Sequence, residues 1–412
     1  MVFDCVIVGG GAVGLAAACF LGRAAADTNK RILVLEKAPR VGKKLLATGN
    51  GTCNITNIHA DGRQYHGTPT LAKRLLAAFT PTQAMEFFAS IGVDCVVRAD
   101  GKVYPAGEQA AAVLDALRLE TAAYGVQTRC ECPVTALRPT KDGFALTTPD
   151  GVITARQVLV CTGGAAAPSL GGSADGYRLL TDLGCKKTPL FPSIVQLRTD
   201  TAFVRAVKGI RVDATVTLRL DGNELAAATG EVLFTDYGLS GPAVMGISRA
   251  AADWERKKTG ALTVALDLLA TWETPALEAR IAARSRMPGR TMEDLLTGLL
   301  NKRVGQTILR TCDIALTRAA DSLTNEECAR VAKQIKNWEI AVVGTQGFGG
   351  AQVTAGGIDP SDFGPDTLCH RRYRGLYAAG EVLDVDGDCG GFNLQFAWSS
   401  AYAASCAIAA AW

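Results

Sequence analysis

The sequence predicts an α/β fold, built on a parallel sheet and split by an inserted domain that is first β-rich and then helical. Three observations predict it. A buried strand at the start of the chain runs into a glycine turn and an apolar helix. A second short strand, Ile32-Leu33-Val34-Leu35, ends in the acid Glu36. From about Pro189 short alternating β runs replace this pattern, and buried strands return near 340. The expected domains are 1–188, an insertion over 189–338 (β over 189–267, helical over 270–338), and 339–412.

The first strand is Asp4 to Val8, apolar, β-branched and stopped by Gly9-Gly10-Gly11. Gly9, Gly11 and Gly14 fall on G-x-G-x-x-G ahead of a helical run over 15–23. In that pattern the first glycine allows the tight turn and the second lets a pyrophosphate approach the backbone. The third lets helix and strand pack closely. The helix start supplies free N–H groups and a positive dipole end for phosphate. Glu36 stands 22 residues past Gly14, about where the ribose-binding carboxylate of a dinucleotide fold belongs. Strand, turn, helix, strand and acid together identify a Rossmann-like, dinucleotide-binding start.

Length and composition bound the rest. At 412 residues, 48% hydrophobic and 20% charged, the chain is an ordinary globular protein of two or three domains. A net charge of +3, without long basic runs, predicts neither a nucleic-acid partner nor a membrane surface. Thirteen cysteines form no C-x-x-C and are odd in number, so they read as small hydrophobes in a reducing compartment. Residues 1–22 lack a basic leader, and 394–412 read as a buried helix rather than a membrane span. The expected location is cytoplasmic. Oligomeric state is not legible.

After Glu36 comes a run of Lys, Gly, Asn and Thr, with almost no large side chains from Thr48 to Asn54. Such a stretch cannot pack a core but can wrap a ligand with backbone and amide groups. Lys43-Lys44-Leu45-Leu46, leading to Gly51-Thr52-Cys53-Asn54-Ile55-Thr56-Asn57, resembles the signature of the BaiN-like, aminoacetone-oxidase-type flavoproteins. Three later stretches resemble the same family in the expected order. They are the run from Gly230 to Pro242, Val353-Thr354-Ala355-Gly356-Gly357, and the run from Gly375 through Asp388 to Gln395. One departure is Thr52, where the family more often has Arg or Lys.

The resemblance implies a two-dinucleotide-binding flavoprotein with FAD as cofactor and an inserted domain, β-barrel-like plus helical, that shapes the substrate pocket. It implies an FAD-dependent oxidoreductase that moves hydride between flavin N5 and a small organic substrate. Reduction of an unsaturated substrate by NADH or NADPH, as a transient electron donor, is favoured. Amine oxidation with O2 is the alternative, and so is a non-catalytic or RNA-modifying role. Absence of a second clean G-x-G-x-x-G argues against a dedicated NAD(P) subdomain.

On these grounds the expected cofactor contacts at the start of the chain are Gly9, Gly11, Ala12, Val13 and Gly14, then Glu36 and Lys37. The loop adds Lys43, Lys44, Leu45, Thr48, Gly49, Asn50, Gly51, Cys53 and Asn54. Val134 follows, and Thr162, Gly163 and Gly164 end the buried strand over 158–161. Last come Gly380, Glu381, Asp388, Gly391, Phe392, Asn393 and Leu394. Glu381 is expected on ribityl hydroxyls, and the start of the closing helix on the flavin pyrimidine. Tyr104, Asp236 and Tyr237 are candidate catalytic groups, since both residue types transfer protons.

No metal is expected. Asp384, Asp386 and Asp388 alternate like a calcium loop but lack its glycine and its closing glutamate. His59 and His66 follow the glycine- and threonine-rich loop and could face substrate, although exposed loop histidines are the favoured reading. With His370 they are the only three, too few for metal or triad chemistry.

Overall fold

The computed structural model describes residues 2–412, which divide into two compact units. The first comprises 2–192 and 352–412, and the second 193–351.

In the first unit, strand β1 (Val2–Val8) leads into helix α1 (Ala12–Ala24) and strand β2 (Ile32–Leu35). β1 lies centrally, parallel to β2 on one side and to the strand Gly151–Val160 on the other. The strand Leu376–Ala378 pairs parallel with Gly151–Val160, so the last segment of the chain joins the sheet begun by the first. These strands are apolar because both faces of a parallel sheet are covered. All four residues of β2, for example, are buried.

Gly143–Thr148 and Ala136–Thr140 complete an antiparallel meander on Gly151–Val160. The alternating segment over 125–137 does not form one strand. Gln127–Arg129 pairs parallel with β2 at the sheet edge, while Glu131 and Cys132 donate backbone bonds to Ala38 and Glu36. Cys132-Pro133 then breaks the run.

The closing helix Phe392–Ala410 packs on α1 and carries no charged residue. Ser399 and Gln395 donate to the carbonyl of Phe79, Trp398 Nε1 donates to Ile55 O, and Thr56 donates to Gln395 Oε1 at 2.5 Å. No helix among the described residues is long and apolar enough to cross a membrane.

The second unit is a closed antiparallel barrel. Around it the strands run Leu197–Thr199, Gly238–Ser240, Asn223–Phe234, Arg211–Leu220, Leu262–Asp267 and Trp338–Thr345, which pairs back with the first. Its core is its own, with Phe234 stacked on Trp338. Two features differ from expectation. Pro242–Lys257 is an amphipathic helix packed on the barrel strands, inside the segment 189–267 that was expected to be β-rich. The helical stretch, with helices Thr274–Ser285, Lys302–Thr311 and Asn325–Lys336, sits between the fifth and sixth strands instead of ending the domain. Trp338–Thr345 alternates buried and exposed residues as a barrel strand must. The chain therefore leaves the barrel near 352, not at 339.

Candidate active site

The turn after β1 is cut to the backbone. Gly9 has φ of +113°, and a Cβ there would lie 2.6 Å from the carbonyl oxygen of Cys161. A Cβ on Gly14 would stand 1.8 Å from the Gly9 carbonyl oxygen, so helix and turn touch main chain to main chain. A Cβ on Gly11 would meet nothing within 4 Å. Gly11 is the N-cap of α1, with no side-chain cap and no acid in the first turn. The dipole end and its N–H groups are left for an anion. Ala12 and Val13 form that first turn, and Val13 backs Gly380, which has φ of +77°.

Glu36 closes the cradle. Its two oxygens accept from Gly10 N and Ala38 N, each at 2.8 Å. The backbone of 131–132 pairs with this segment and brings Val134, buried, alongside. Lys37 instead faces outward in an ion pair with Asp175 at 3.2 Å.

The loop following Lys43 is a kinked helical turn. Gly49 and Asn50 take left-handed conformations, as does Cys53. Thr48 Oγ1 donates to Leu45 O, which with buried Leu45 anchors the turn, while Gly49, Asn50 and Gly51 are exposed. Burial pushes the Cys53 thiol up to about 11, so it is an inert packing group.

Lys44 Nζ bonds both oxygens of Glu381, at 2.9 and 3.2 Å, and Thr354 N donates to the same carboxylate at 2.8 Å. A Cβ on Gly164 would fall 2.5 Å from Glu381 Oε1. The glycines after the Gly151–Val160 strand thus admit this carboxylate, and Gly163 opens on free space.

At the closing helix, Asn393 exchanges bonds with Gly387 at 2.7 and 2.8 Å, and Tyr65 donates to Phe392 O at 2.8 Å. Leu394 is half-buried there. A Cβ on Gly391 would press on Thr56 O and on Asn54 Oδ1. Asn54 Oδ1 and Thr162 Oγ1 are buried oxygens without a hydrogen-bond partner in the protein. Such atoms cost free energy unless something else satisfies them.

Among the catalytic candidates, Tyr104 sits near Gly49 beneath the Arg98 guanidinium, 4.0 Å from its ring centroid. Asp236 and Tyr237 belong to the barrel unit, in the loop between Asn223–Phe234 and Gly238–Ser240. Asp236 is exposed and bonded to Lys208 Nζ at 2.6 Å, which holds its carboxyl below the usual range. It is therefore an ionised surface group and a poor proton donor near neutrality. Sequence reasoning missed Gln395 and Trp398, which tie the closing helix to the 55–57 segment. Their signal was hydrogen-bonding side chains in a helix without charge.

An open glycine turn, an uncapped helix start, an acid closing the cradle and orphaned buried oxygens fit a dinucleotide that ends in a flavin. The class is that of FAD-dependent oxidoreductases with a Rossmann-type domain and an inserted barrel. Residues 3–407 match the HI0933-like protein Rossmann domain, and the chain belongs to that family.

It is 36% identical to a 3-dehydro-bile acid delta(4,6)-reductase of Clostridium scindens, over 98% of both chains. It is 29% identical to a ribosomal RNA dihydrouridine synthase of Haemophilus influenzae, again over 98% of both. Its fold is shared by a solved 3-ketosteroid delta1-dehydrogenase of Sterolibacterium denitrificans, with TM-score 0.51, 13% identity and full coverage of both chains. It is also shared by the quinol fumarate reductase of E. coli, with TM-score 0.53, 18% identity, all of this chain and 70% of that one.

Proposed function

We propose that this flavoenzyme reduces a carbon–carbon double bond conjugated to a carbonyl in a small organic substrate, with NADH or NADPH as transient electron donor. The full-length similarity to a reductase of a 3-dehydro bile acid carries this reading. When bound, FAD supplies hydride acceptance and donation. The chain's own residues do the rest. The uncapped start of α1 would take the pyrophosphate, Glu36 the ribose, Glu381 with Lys44 the ribityl chain, and Asn54 and the start of the closing helix the flavin pyrimidine.

A polarised alkene suits this arrangement because the carbonyl makes the β carbon electrophilic, and a proton must then reach the α carbon. A second reading keeps the chemistry and changes the substrate. Two relatives are ribosomal RNA dihydrouridine synthases, and the uracil C5–C6 double bond is likewise conjugated to a carbonyl. The small charge excess, +3 over 412 residues, favours the small molecule.

An absorption spectrum of the purified protein, followed by anaerobic addition of NADH or NADPH, tests the proposal. Bands near roughly 370 and 450 nm are expected for oxidised flavin, bleached by one of the two donors. Colour should return with a 3-oxo-4,6-diene steroid. Recovery only with O2 and an amine substrate turning over would replace the reductase by an oxidase. Recovery only with ribosomal RNA would select the second reading.

A further inference from the structure

The reduction needs a proton at the substrate's α carbon, and the structure offers a group for it that lies outside the expected contacts. His66 Nε2 and Asp388 Oδ1 stand 2.8 Å apart. They form a diagonal pair across a two-stranded ladder. Tyr65–Gly67 runs antiparallel to Val385–Gly387, His66 lies opposite Asp386, and Asp388 N donates to Gln64 O. The side chains are 37% and 46% exposed, so a bound molecule can reach them.

The pair is fixed to the start of the closing helix. Asn393 Nδ2 donates to Gly387 O and Asp388 O at 2.7 and 3.3 Å, and Gly391, two residues earlier, rests on orphaned Asn54 Oδ1. The other histidines are differently placed. His370 is buried, and its Nδ1 accepts backbone N–H bonds from Arg372 and Tyr373. His59 is exposed and has no carboxylate partner among the described residues.

We infer that His66 is the catalytic acid of the reduction, and that Asp388 is its positioning residue. This rests on the reading of the site as an alkene reductase. With Nε2–H donating to the carboxylate, the ring orientation and tautomer are set, and Nδ1 is the nitrogen that exchanges a proton with substrate. The balance is complete. Reduced pyridine nucleotide gives two electrons and a proton's equivalent to the flavin as hydride. With bound FAD supplying hydride to the alkene β carbon, the α carbon would take the Nδ1–H proton of the His66 imidazolium, which is left as the neutral Nε2–H tautomer held by Asp388. One π bond is lost and two C–H bonds form, and solvent reprotonates the imidazole. The charged and titratable groups around the pair are Asp61, Tyr65, Lys102, Asp384, Asp386 and Cys389.

The test separates the half-reactions in His66→Gln. Flavin content and reduction by pyridine nucleotide should match wild type. Reoxidation by a conjugated ketone, followed anaerobically, should slow by about 100-fold or more, as loss of a general acid does. Independently of turnover, 15N NMR of histidine-labelled protein should show the neutral form of His66 as the Nε2–H tautomer, with a mixture of tautomers in Asp388→Asn. That second variant also keeps the test open if His66→Gln fails to fold. Wild-type reoxidation rate in His66→Gln, or an unchanged tautomer in Asp388→Asn, overturns the inference alone. A wild-type enzyme that no conjugated ketone reoxidises overturns the reading of the site and the inference with it.

Discussion

Glu36 and Glu381 are the two acids expected to hold the cofactor, and their surroundings predict different phenotypes. Glu36 already accepts two backbone N–H bonds, from Gly10 and Ala38. Glu36→Ala should therefore cost about 1–3 kcal/mol of stability by stranding those donors as well as weakening flavin retention. Glu36→Gln keeps one of the two acceptors and removes the charge, and comparing it with Glu36→Ala by flavin-to-protein ratio and by denaturant melts should separate the two effects. Glu381→Ala strands Lys44 and Thr354 N instead, and its flavin should wash out on dialysis. Full occupancy in both alanine variants would remove them from the cofactor site. Gly14→Ala should be harsher than either, since the added carbon would lie 1.8 Å from the Gly9 carbonyl oxygen. The expected product is insoluble or colourless protein.

At the scale of elements, the closing helix bears on the flavin loop through buried polar bonds. Gln395→Leu leaves the Thr56 hydroxyl without its acceptor and removes the donor to Phe79 O. A loss of about 1–3 kcal/mol in chemical denaturation is expected, and stability equal to wild type would show that the network carries nothing. This helix also shows where sequence reading works and where it stops. Its existence and burial follow from a long uncharged run, as β1 and α1 follow from the glycine turn, because local periodicity and glycine spacing write themselves into consecutive residues. The pairing of Gln127–Arg129 with β2, and of Trp338–Thr345 with strands on both sides of it, depends on partners far away in sequence. No local pattern distinguishes a barrel strand from one that rejoins the first sheet. For the same reason Asp388 and His66 could each be picked out, but not their pairing across 322 positions. The resemblance that marked Asp236 preserves a motif, whereas its ion pair with Lys208 belongs to the fold.

At the scale of the whole molecule, cofactor and stability are linked. Ligand that binds only the folded chain adds about 2.7 kcal/mol at a hundredfold excess over Kd. Apoprotein should accordingly melt lower than holoprotein, and added FAD should restore the difference in a dose-dependent way. Thermal scans with and without FAD check this, and coincident scans would deny a flavin-stabilised fold. The thiols offer a second global readout. All thirteen cysteines are free; Cys406 is exposed, Cys95, Cys130, Cys369 and Cys389 are half-buried and the other eight are buried, so a native thiol titration should show one fast group, slower reaction at up to four, and the rest only on unfolding.

The order in which the chain is made bears on when this enzyme can become active. A ribosome delivers β1 and its glycine turn first, yet Leu376–Ala378, Glu381 and the closing helix, which complete the same unit, arrive last. The intervening stretch 193–351 contains every strand of the barrel, so its pairing partners are all present before the first sheet can be finished. Nascent chains arrested before residue 376 would thus carry a finished barrel sequence beside an open sheet edge and an incomplete flavin cradle. On the proposed cofactor contacts, flavin capture would wait for Glu381 and the closing helix, and until Leu376–Ala378 is made the strand Gly151–Val160 lacks that partner.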